Sequence, residues 1–186
     1  MNDHHLILGR LKDVITGDMI TDTHDERYRQ QIARLLIEQK GYRKKDIRAQ
    51  LPLLIKVDDK CARVPVTFVV TIEDFIAMII HYGPGSLVTR RRPALAMGRL
   101  VADYQVSVVI VTNGENAEIM DGITGKIIAK GLDGIPHKKE LSAEGMHRSR
   151  QKIPPERVQG EARILMAFEV NDRCPCDDTT CLLEGL

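Results

Sequence analysis

The sequence predicts an α/β fold in which a mixed β-sheet is flanked by helices. Residues 25–40 carry apolar side chains at spacings of three and four, which is typical of a helix packed on a core. Short apolar and β-branched runs follow, and a second helical segment separates them from another buried run at 107–112. Since parallel strands need a long crossover connection, this order indicates a sheet with at least one parallel pair.

The composition is that of an ordinary globular protein. The chain has 186 residues, of which 43% are hydrophobic and 28% charged, and its formal net charge is +1. This charge provides no global attraction for nucleic acid or for an anionic membrane. No apolar run reaches the roughly 20 residues that span a bilayer, and the N-terminus lacks the pattern of a signal peptide. We therefore expect a cytoplasmic protein without a membrane partner.

The first residues are expected to lead into a helix. Residues 1–24 hold a short apolar patch and then polar residues, which suggests a short helix or turn. Thr23 or Asp25 is suited to cap the helix 25–40, and Gly41 is suited to end it.

Three strands and a second helix are predicted next. The strands are Leu53–Val57, Val64–Thr71 and Phe75–Tyr82. The third strand is almost wholly apolar, as expected for a strand buried on both faces. Pro93 suits the first turn of a helix that runs to about Asp103.

The remaining core is predicted to be a buried strand and a hairpin. The strand is Ser107–Thr112, and the hairpin consists of Glu118–Asp121 and Lys126–Ala129. We divide the chain into a lead-in segment (1–24), a core (25–132) and an extension (133–186).

The extension contains three different parts. Residues 137–150 are polar and basic and suggest a mobile helix or arm. Pro154 and Pro155 begin a helix that runs to about Val170, and a cysteine-containing tail follows.

Four linked stretches of the core carry a family resemblance, namely Gly83–Arg90, Arg92–Leu95, Tyr104–Gln105 and Val111–Gly114. They resemble the N-terminal domain family of type I restriction enzyme R subunits, within the PD-(D/E)xK nuclease superfamily. The resemblance covers about Asp25–Leu132 and implies a restriction-endonuclease-like αβββαβ core. It does not carry catalytic activity unless the site residues are present.

The resemblance also implies where a nuclease site would lie. In active superfamily members, an Asp on the second strand and a Glu-x-Lys on the third hold Mg²⁺ and position water, and a Glu on the first helix often completes the site. These strand positions fall on Thr67, Ile79 and His81, and only the helix position, Glu26, matches. One carboxylate cannot organise an oxygen-coordinated Mg²⁺ without help. Glu26 and His81 are therefore interpreted as remnants of a degenerate catalytic site.

We predict a catalytically degenerate nuclease-like module that binds nucleic acid or a partner without cleaving. One alternative is an active, Mg²⁺-dependent endonuclease of a restriction or repair system, whose site has migrated to Glu73, Asp74 or Glu118. The other is a metal-stapled scaffold or protein-interaction module. DNA or a protein is the expected partner, and the sequence leaves homo-oligomerisation open.

Arginines provide the candidate nucleic-acid-binding site. They are Arg90, Arg91, Arg92 and Arg99. Guanidinium groups contact phosphates in a forked geometry, and the N-terminus of the following helix attracts anions. The equally weighted alternative is a solvated turn whose arginines pair with Asp103 or with acids of residues 22–26.

His81 also has two interpretations. It either replaces the lysine and donates a hydrogen bond to phosphate, or it is a core histidine bonded to a backbone carbonyl.

Cysteines provide the candidate metal site. The tail cluster has the spacing C-x-C-x4-C and consists of Cys174, Cys176 and Cys181. With Cys61 it would supply four thiolates for zinc or an iron–sulfur cluster, an arrangement similar to that of some nucleases of the superfamily. His137 or His147 is an alternative fourth zinc ligand. A reduced disordered tail and a Cys174–Cys181 disulfide are the other interpretations.

Overall fold

The structure, a computed structural model, describes residues 6–145, 151–171 and 181–183. Within these ranges the chain forms one large mixed sheet and a small hairpin, with helices on both faces of the large sheet. The predicted α/β class is confirmed. None of the helices in these ranges is long and apolar enough to cross a membrane.

The chain begins with a hairpin rather than the predicted short helix or turn. Strands β1 (Gly9–Lys12) and β2 (Met19–Asp22) pair antiparallel. The Asp13 carboxylate closes the loop between them by accepting hydrogen bonds from the backbone N–H groups of Ile15 and Thr16, both at 2.7 Å. This side-chain turn and the strand pairing outweigh the local pattern, which was too short to distinguish a strand from a helical turn.

The first helix agrees with the prediction. Helix α1 (His24–Arg34) continues as a π-helical turn (Leu35–Gln39). The Thr23 hydroxyl accepts a hydrogen bond from the backbone N–H of Glu26 at 3.1 Å, which caps the helix. Gly41 has φ +77°, a left-handed conformation suited to the residue that follows a helix.

The central part of the large sheet combines a meander with one crossover. Strands β3 (Ile47–Val57), β4 (Lys60–Ile72) and β5 (Phe75–Tyr82) pair antiparallel in this order. Helix α2 (Leu87–Leu100) then leads to β6 (Val108–Thr112), which pairs parallel with β5. The three strands and the crossover were predicted, although β3 and β4 begin earlier than their apolar runs.

The chain then adds a hairpin and the C-terminal elements. Strands β7 (Ala117–Asp121) and β8 (Ile127–Lys130) extend the sheet beyond β6. Helix α3 (Lys138–Gly145) and helix α4 (Pro155–Leu165) follow, and β9 (Cys181–Leu183) pairs antiparallel with the start of β4.

Helix α2 starts earlier than predicted. It begins at Leu87, so Pro93 lies inside the helix and not in its first turn. Leu87 packs against the core, and Arg91 and Arg92 are held by carboxylates of β7 and α4. These tertiary contacts stabilise the turns before Pro93, although the proline cannot donate a backbone hydrogen bond.

The sheet separates two apolar layers. Ile79 of β5 packs in the layer that contains α2 and α4, whereas Met78, Ile80 and Tyr82 pack in the layer that contains α1 and α3. Since successive side chains of a strand point to opposite faces, Met78, Ile80 and Tyr82 contact different helices from Ile79. This alternation decides which residues share a site with α1.

Candidate functional site

A pocket of about 260 Å³ lies between α1, the β1–β2 hairpin and the middle of β3 and β4. Its lining includes the polar residues Asp13, Glu26, Arg29, Gln30, Gln50 and Thr67. Gln50 has φ +51°. In the pairing of β3 with β4, the residues before and after Gln50 and Thr67 are paired, but Gln50 and Thr67 are not paired with each other. The Thr67 hydroxyl instead accepts a hydrogen bond from the backbone N–H of Tyr82 at 3.0 Å. This irregularity brings the middle of β4 to the pocket.

A hydrogen-bond network engages both carboxylates of the pocket. Arg29 donates from Nε to Glu26 Oε2 at 2.9 Å. Gln30 donates from Nε2 to both Glu26 Oε1, at 2.9 Å, and Asp13 Oδ2, at 2.7 Å. The Gln30 oxygen accepts from the backbone N–H of Val14 at 2.7 Å. Every polar atom of the Gln30 amide group is thus used to hold the hairpin against α1.

The same network lowers the pKa of Asp13. Burial raises the pKa of this carboxyl, but the hydrogen bonds from Thr16, Gln30 and Ile15 together lower it by a larger amount. The net pKa lies below its ordinary value, and Asp13 is therefore an anion at neutral pH.

The pocket does not fit an oxygen-coordinated Mg²⁺. Glu26 is already hydrogen-bonded to a guanidinium, and β4 contributes the Thr67 hydroxyl to the pocket rather than a carboxylate. The Arg29 guanidinium carbon lies 5.8 Å from the centroid of the Tyr82 ring, so this cation lies between α1 and β5. A fixed positive charge beside the carboxylate opposes binding of a second cation.

The structure corrects the predicted register of the Glu-x-Lys position. Ile79 and His81 lie on the α2 and α4 face, opposite the face that α1 covers. Ile80 and Tyr82 are the residues on the α1 face, and Tyr82 donates a hydrogen bond to Asp25. The predicted remnants, Glu26 and His81, are therefore not brought together. The corrected register still contains no acid.

His81 is a buried partner of an acid. Its side chain is buried, and Nε2 lies 3.4 Å from Oε1 of Glu169, in the turn Met166–Asn171 that continues α4. Burial raises the pKa of Glu169, but the neighbouring His81 and Arg90 lower it by a larger amount, so the net pKa is below its ordinary value. His81 thus resembles the predicted core histidine, with a carboxylate as its partner instead of a backbone carbonyl.

Three of the four predicted phosphate-binding arginines have internal partners. Arg91 forms a bidentate ion pair with Glu118, with hydrogen bonds of 2.5 and 2.6 Å. Arg92 and Arg99 both donate to Glu161 of α4, at 2.5 and 2.8 Å. The partners differ from the acids expected from the sequence, because β7 and α4 come close only in the folded chain. Of the two interpretations of the arginine cluster, the structure favours the one in which the arginines pair with acids, although the acids are different ones.

Arg90 has a different environment from the other three. It packs against Gly83, where a Cβ atom would lie 2.9 Å from its Nε. Gly83 thereby allows the arginine to lie close to the end of β5.

A family comparison covers α1 and strands β3 to β8, but not the β1–β2 hairpin of the pocket. A family model for the Type I restriction enzyme R protein N terminus matches residues 24–136. The chain belongs to this family. Membership of the PD-(D/E)xK superfamily is consistent with it, as the resemblance implied. The comparison with curated proteins and the comparison with solved structures each gave no significant match.

The acids proposed for a migrated site in this family member do not reach the pocket. Glu118 is engaged by Arg91, and Glu73 and Asp74 form the β4–β5 turn at the opposite end of β5 from Tyr82. Asp13 is the carboxylate that the structure places near Glu26, and sequence reasoning missed it. No local pattern marks Asp13, because the hairpin pairing brings it to α1.

The predicted cysteine site is only partly within the described residues. Cys61 is a buried free thiol. The β9 register places Leu183 opposite Cys61 and Cys181 opposite Arg63, so the end of the tail lies along the strand segment that carries Cys61. Cys174 and Cys176 lie outside the described residues. Within the ranges that are described, no group of three or more metal-ligating side chains occurs, and the zinc or iron–sulfur site stays a prediction.

Proposed function

We propose that this chain is a nuclease-fold module that binds nucleic acid without cleaving it. Its family is defined by the N terminus of a restriction enzyme subunit, which supports a nuclease-like or DNA-related role. The absence of cleavage is inferred from the chemistry of the pocket.

This proposal rests on the hydrogen bonds that already occupy the Glu26 carboxylate. Its two carboxylate oxygens accept hydrogen bonds from Arg29 and Gln30, and its side chain is largely buried. A metal ion would have to displace these donors and tolerate the guanidinium beside it. Neither Thr67 nor the β5 residues on this face supply the second carboxylate of the superfamily site.

The remaining groups of the pocket cannot perform the functions of a catalytic metal ion. In metal-dependent hydrolysis, the cation generates the nucleophile from water and stabilises charge on the phosphoryl oxygens. Arg29 can stabilise negative charge, but a guanidinium stays protonated and does not activate water. The pocket therefore lacks the groups that would hydrolyse a phosphodiester.

The test is a titration of a labelled DNA duplex with the full chain at several salt concentrations, with Mg²⁺, with Mn²⁺ or with a chelator. We expect binding that weakens with salt while the duplex stays intact under all three conditions. Metal-dependent cleavage contradicts the non-cleaving function, and the absence of binding at low salt contradicts the nucleic-acid-binding function.

An active endonuclease is the second candidate, because one amide nitrogen of Gln30 contacts both Asp13 and Glu26. A movement of Gln30 would leave two carboxylates facing each other. In that case cleavage should be lost in Glu26→Gln and Asp13→Asn and retained in the control Glu38→Gln, an exposed acid after the same helix. A wild-type protein that does not cleave removes this candidate.

A further inference from the structure

Two basic segments meet on the α1 and α3 side of the protein, away from the predicted arginine cluster. One is the turn Arg43–Lys45 between α1 and β3, and the other is His137–Lys139 at the start of α3. We call them together the α1–α3 basic patch. A groove between them is lined by Gln39 to Gly41 and by His137 to Glu140.

Four contacts join residues 40–46 to residues 133–138 and so hold the two segments near each other. Lys138 donates from Nζ to Asp46 at 2.5 Å and from its backbone N–H to the carbonyl of Lys40 at 2.9 Å. Lys40 donates from Nζ to the carbonyl of Asp133 at 2.8 Å, and the Tyr42 hydroxyl donates to the carbonyl of Pro136 at 2.9 Å. The patch is thus part of the folded framework and not a pair of independent loops.

The carboxylate inside the patch is already neutralised. Asp46 accepts hydrogen bonds from Lys138 and from Arg43. Burial raises its pKa, but these two cations and the backbone N–H of Arg43 lower it to about 2. Glu140 accepts a hydrogen bond from the backbone N–H of His137 and so caps α3.

Three lysines remain as exposed cations of the patch. Lys44, Lys45 and Lys139 are exposed, and no ion pair holds them within the part of the chain that the structure describes. Residues 40–46 and 137–140 together contain six lysines and arginines and two carboxylates, a net charge of +4, whereas the whole chain carries +1. Glu38 and Asp133 border this region. The region therefore carries a local excess of positive charge, which the bordering acids reduce to +2.

From this geometry we propose that the α1–α3 basic patch is the surface that binds the phosphate backbone of duplex DNA. The inference rests on the proposed function and names the surface that performs it. Lysine ammonium groups bind phosphates as point charges. Tyr42, the aromatic residue of this region, is buried and cannot stack on an unpaired base. The patch therefore binds phosphates without reading the sequence of bases.

The test compares three full-length proteins by anisotropy titration of a short labelled duplex, and of one of its strands, between about 50 and 200 mM salt. The patch variant carries Lys44→Glu, Lys45→Glu and Lys139→Glu. The matched control carries Lys56→Glu, Lys60→Glu and Lys126→Glu, which reverse the same number of exposed lysines on other surfaces. Thermal unfolding of all three proteins verifies that each is folded.

We expect the patch variant to lose about tenfold or more of its affinity and to reduce the slope of log K against log salt by about 2–3, because each lost phosphate contact contributes roughly 0.9. The control should retain most of the affinity and the slope. If the wild type binds and the two variants behave alike, the patch is not the binding surface, although the proposed function stands. A clear preference of the wild type for the single strand also overturns the proposal that the patch binds duplex DNA. If the wild type does not bind, both proposals fail.

Discussion

The buried carboxylate of Glu161 should be a principal stabiliser of the contact between α4 and α2. Its side chain is 2% exposed, and it pairs with Arg92, Arg99 and, at 3.6 Å, Arg157. In Glu161→Ala, Arg92 and Arg157 can turn toward water, because their side chains are 43% and 49% exposed. Arg99 cannot, since its side chain is 7% exposed.

The expected cost follows from the charge that is left unpaired. Removing one partner of a buried ion pair costs about 3–5 kcal/mol, and only one of the three arginines is trapped here, so we expect about 3 kcal/mol. Replacing Glu161 and Arg99 together with methionine should recover most of this loss, because no buried charge then remains unpaired.

Urea-induced unfolding followed by circular dichroism measures this free energy, provided that the m-value is unchanged. The control is Glu156→Ala, an exposed acid in the first turn of the same helix, for which we expect about 0.5 kcal/mol. A loss of less than about 1 kcal/mol in Glu161→Ala would refute the reasoning, since it would mean that Arg99 finds water or another partner.

The pH dependence gives a second readout of the same group. Burial raises the pKa of Glu161, but Arg92 and Arg99 together lower it by a larger amount. The folded-state pKa therefore lies below the ordinary 4.5. The stability that the charge contributes is therefore present above the unfolded-state pKa and is lost as the pH falls toward the folded-state pKa. The difference in stability between the wild type and Glu161→Gln should shrink below about pH 4.5. A difference that grows on acidification contradicts the assignment.

Two further predictions concern the basic patch and the cysteines. Asp46→Asn should destabilise the protein by about 1–2 kcal/mol at pH 7, because Lys138 and Arg43 lose an ionic acceptor. Since the pKa of Asp46 falls from 3.8 to about 2 on folding, this difference should disappear as the pH falls from about 4 to 2 in urea titrations, and a pH-independent difference contradicts it. Protein prepared without oxygen should contain zinc or iron by elemental analysis and lose it in Cys61→Ser. A metal-free wild type would reject the predicted cysteine site.

Local patterns predicted the elements whose signals lie within a few residues. The bounds of the apolar strand Phe75–Tyr82 were predicted, because a run buried on both faces contains no polar residue in its middle. The cap at Thr23 was predicted as one of two alternatives, since capping depends on neighbouring backbone groups. The motif stretches between Gly83 and Gly114 indicated the family, because they follow one another in a fixed order along a short part of the chain.

The sequence indicated less about which residues line the candidate site than about which helix and strands form it. The sequence correctly excluded an acid from β5, but it assigned the odd residues of this strand to the α1 face. An alignment of positions does not determine which face of a strand a helix will cover. The irregular pairing at Gln50 and Thr67, which shapes the pocket, also leaves no recognisable local signal.

By itself, the sequence determined the α/β class, the order of the central strands and helices, and the family. The tertiary structure decided the partners of the charged groups. Arg91 pairs with an acid 27 residues away, Arg99 with one 62 residues away, and Lys138 with one 92 residues away. Periodicity and capping depend on neighbours along the chain, whereas an ion pair depends on which surfaces packing brings together. For this reason three of the four arginines of the predicted cluster have partners that the sequence did not indicate, and the α1–α3 basic patch forms where two distant lysine-rich segments meet.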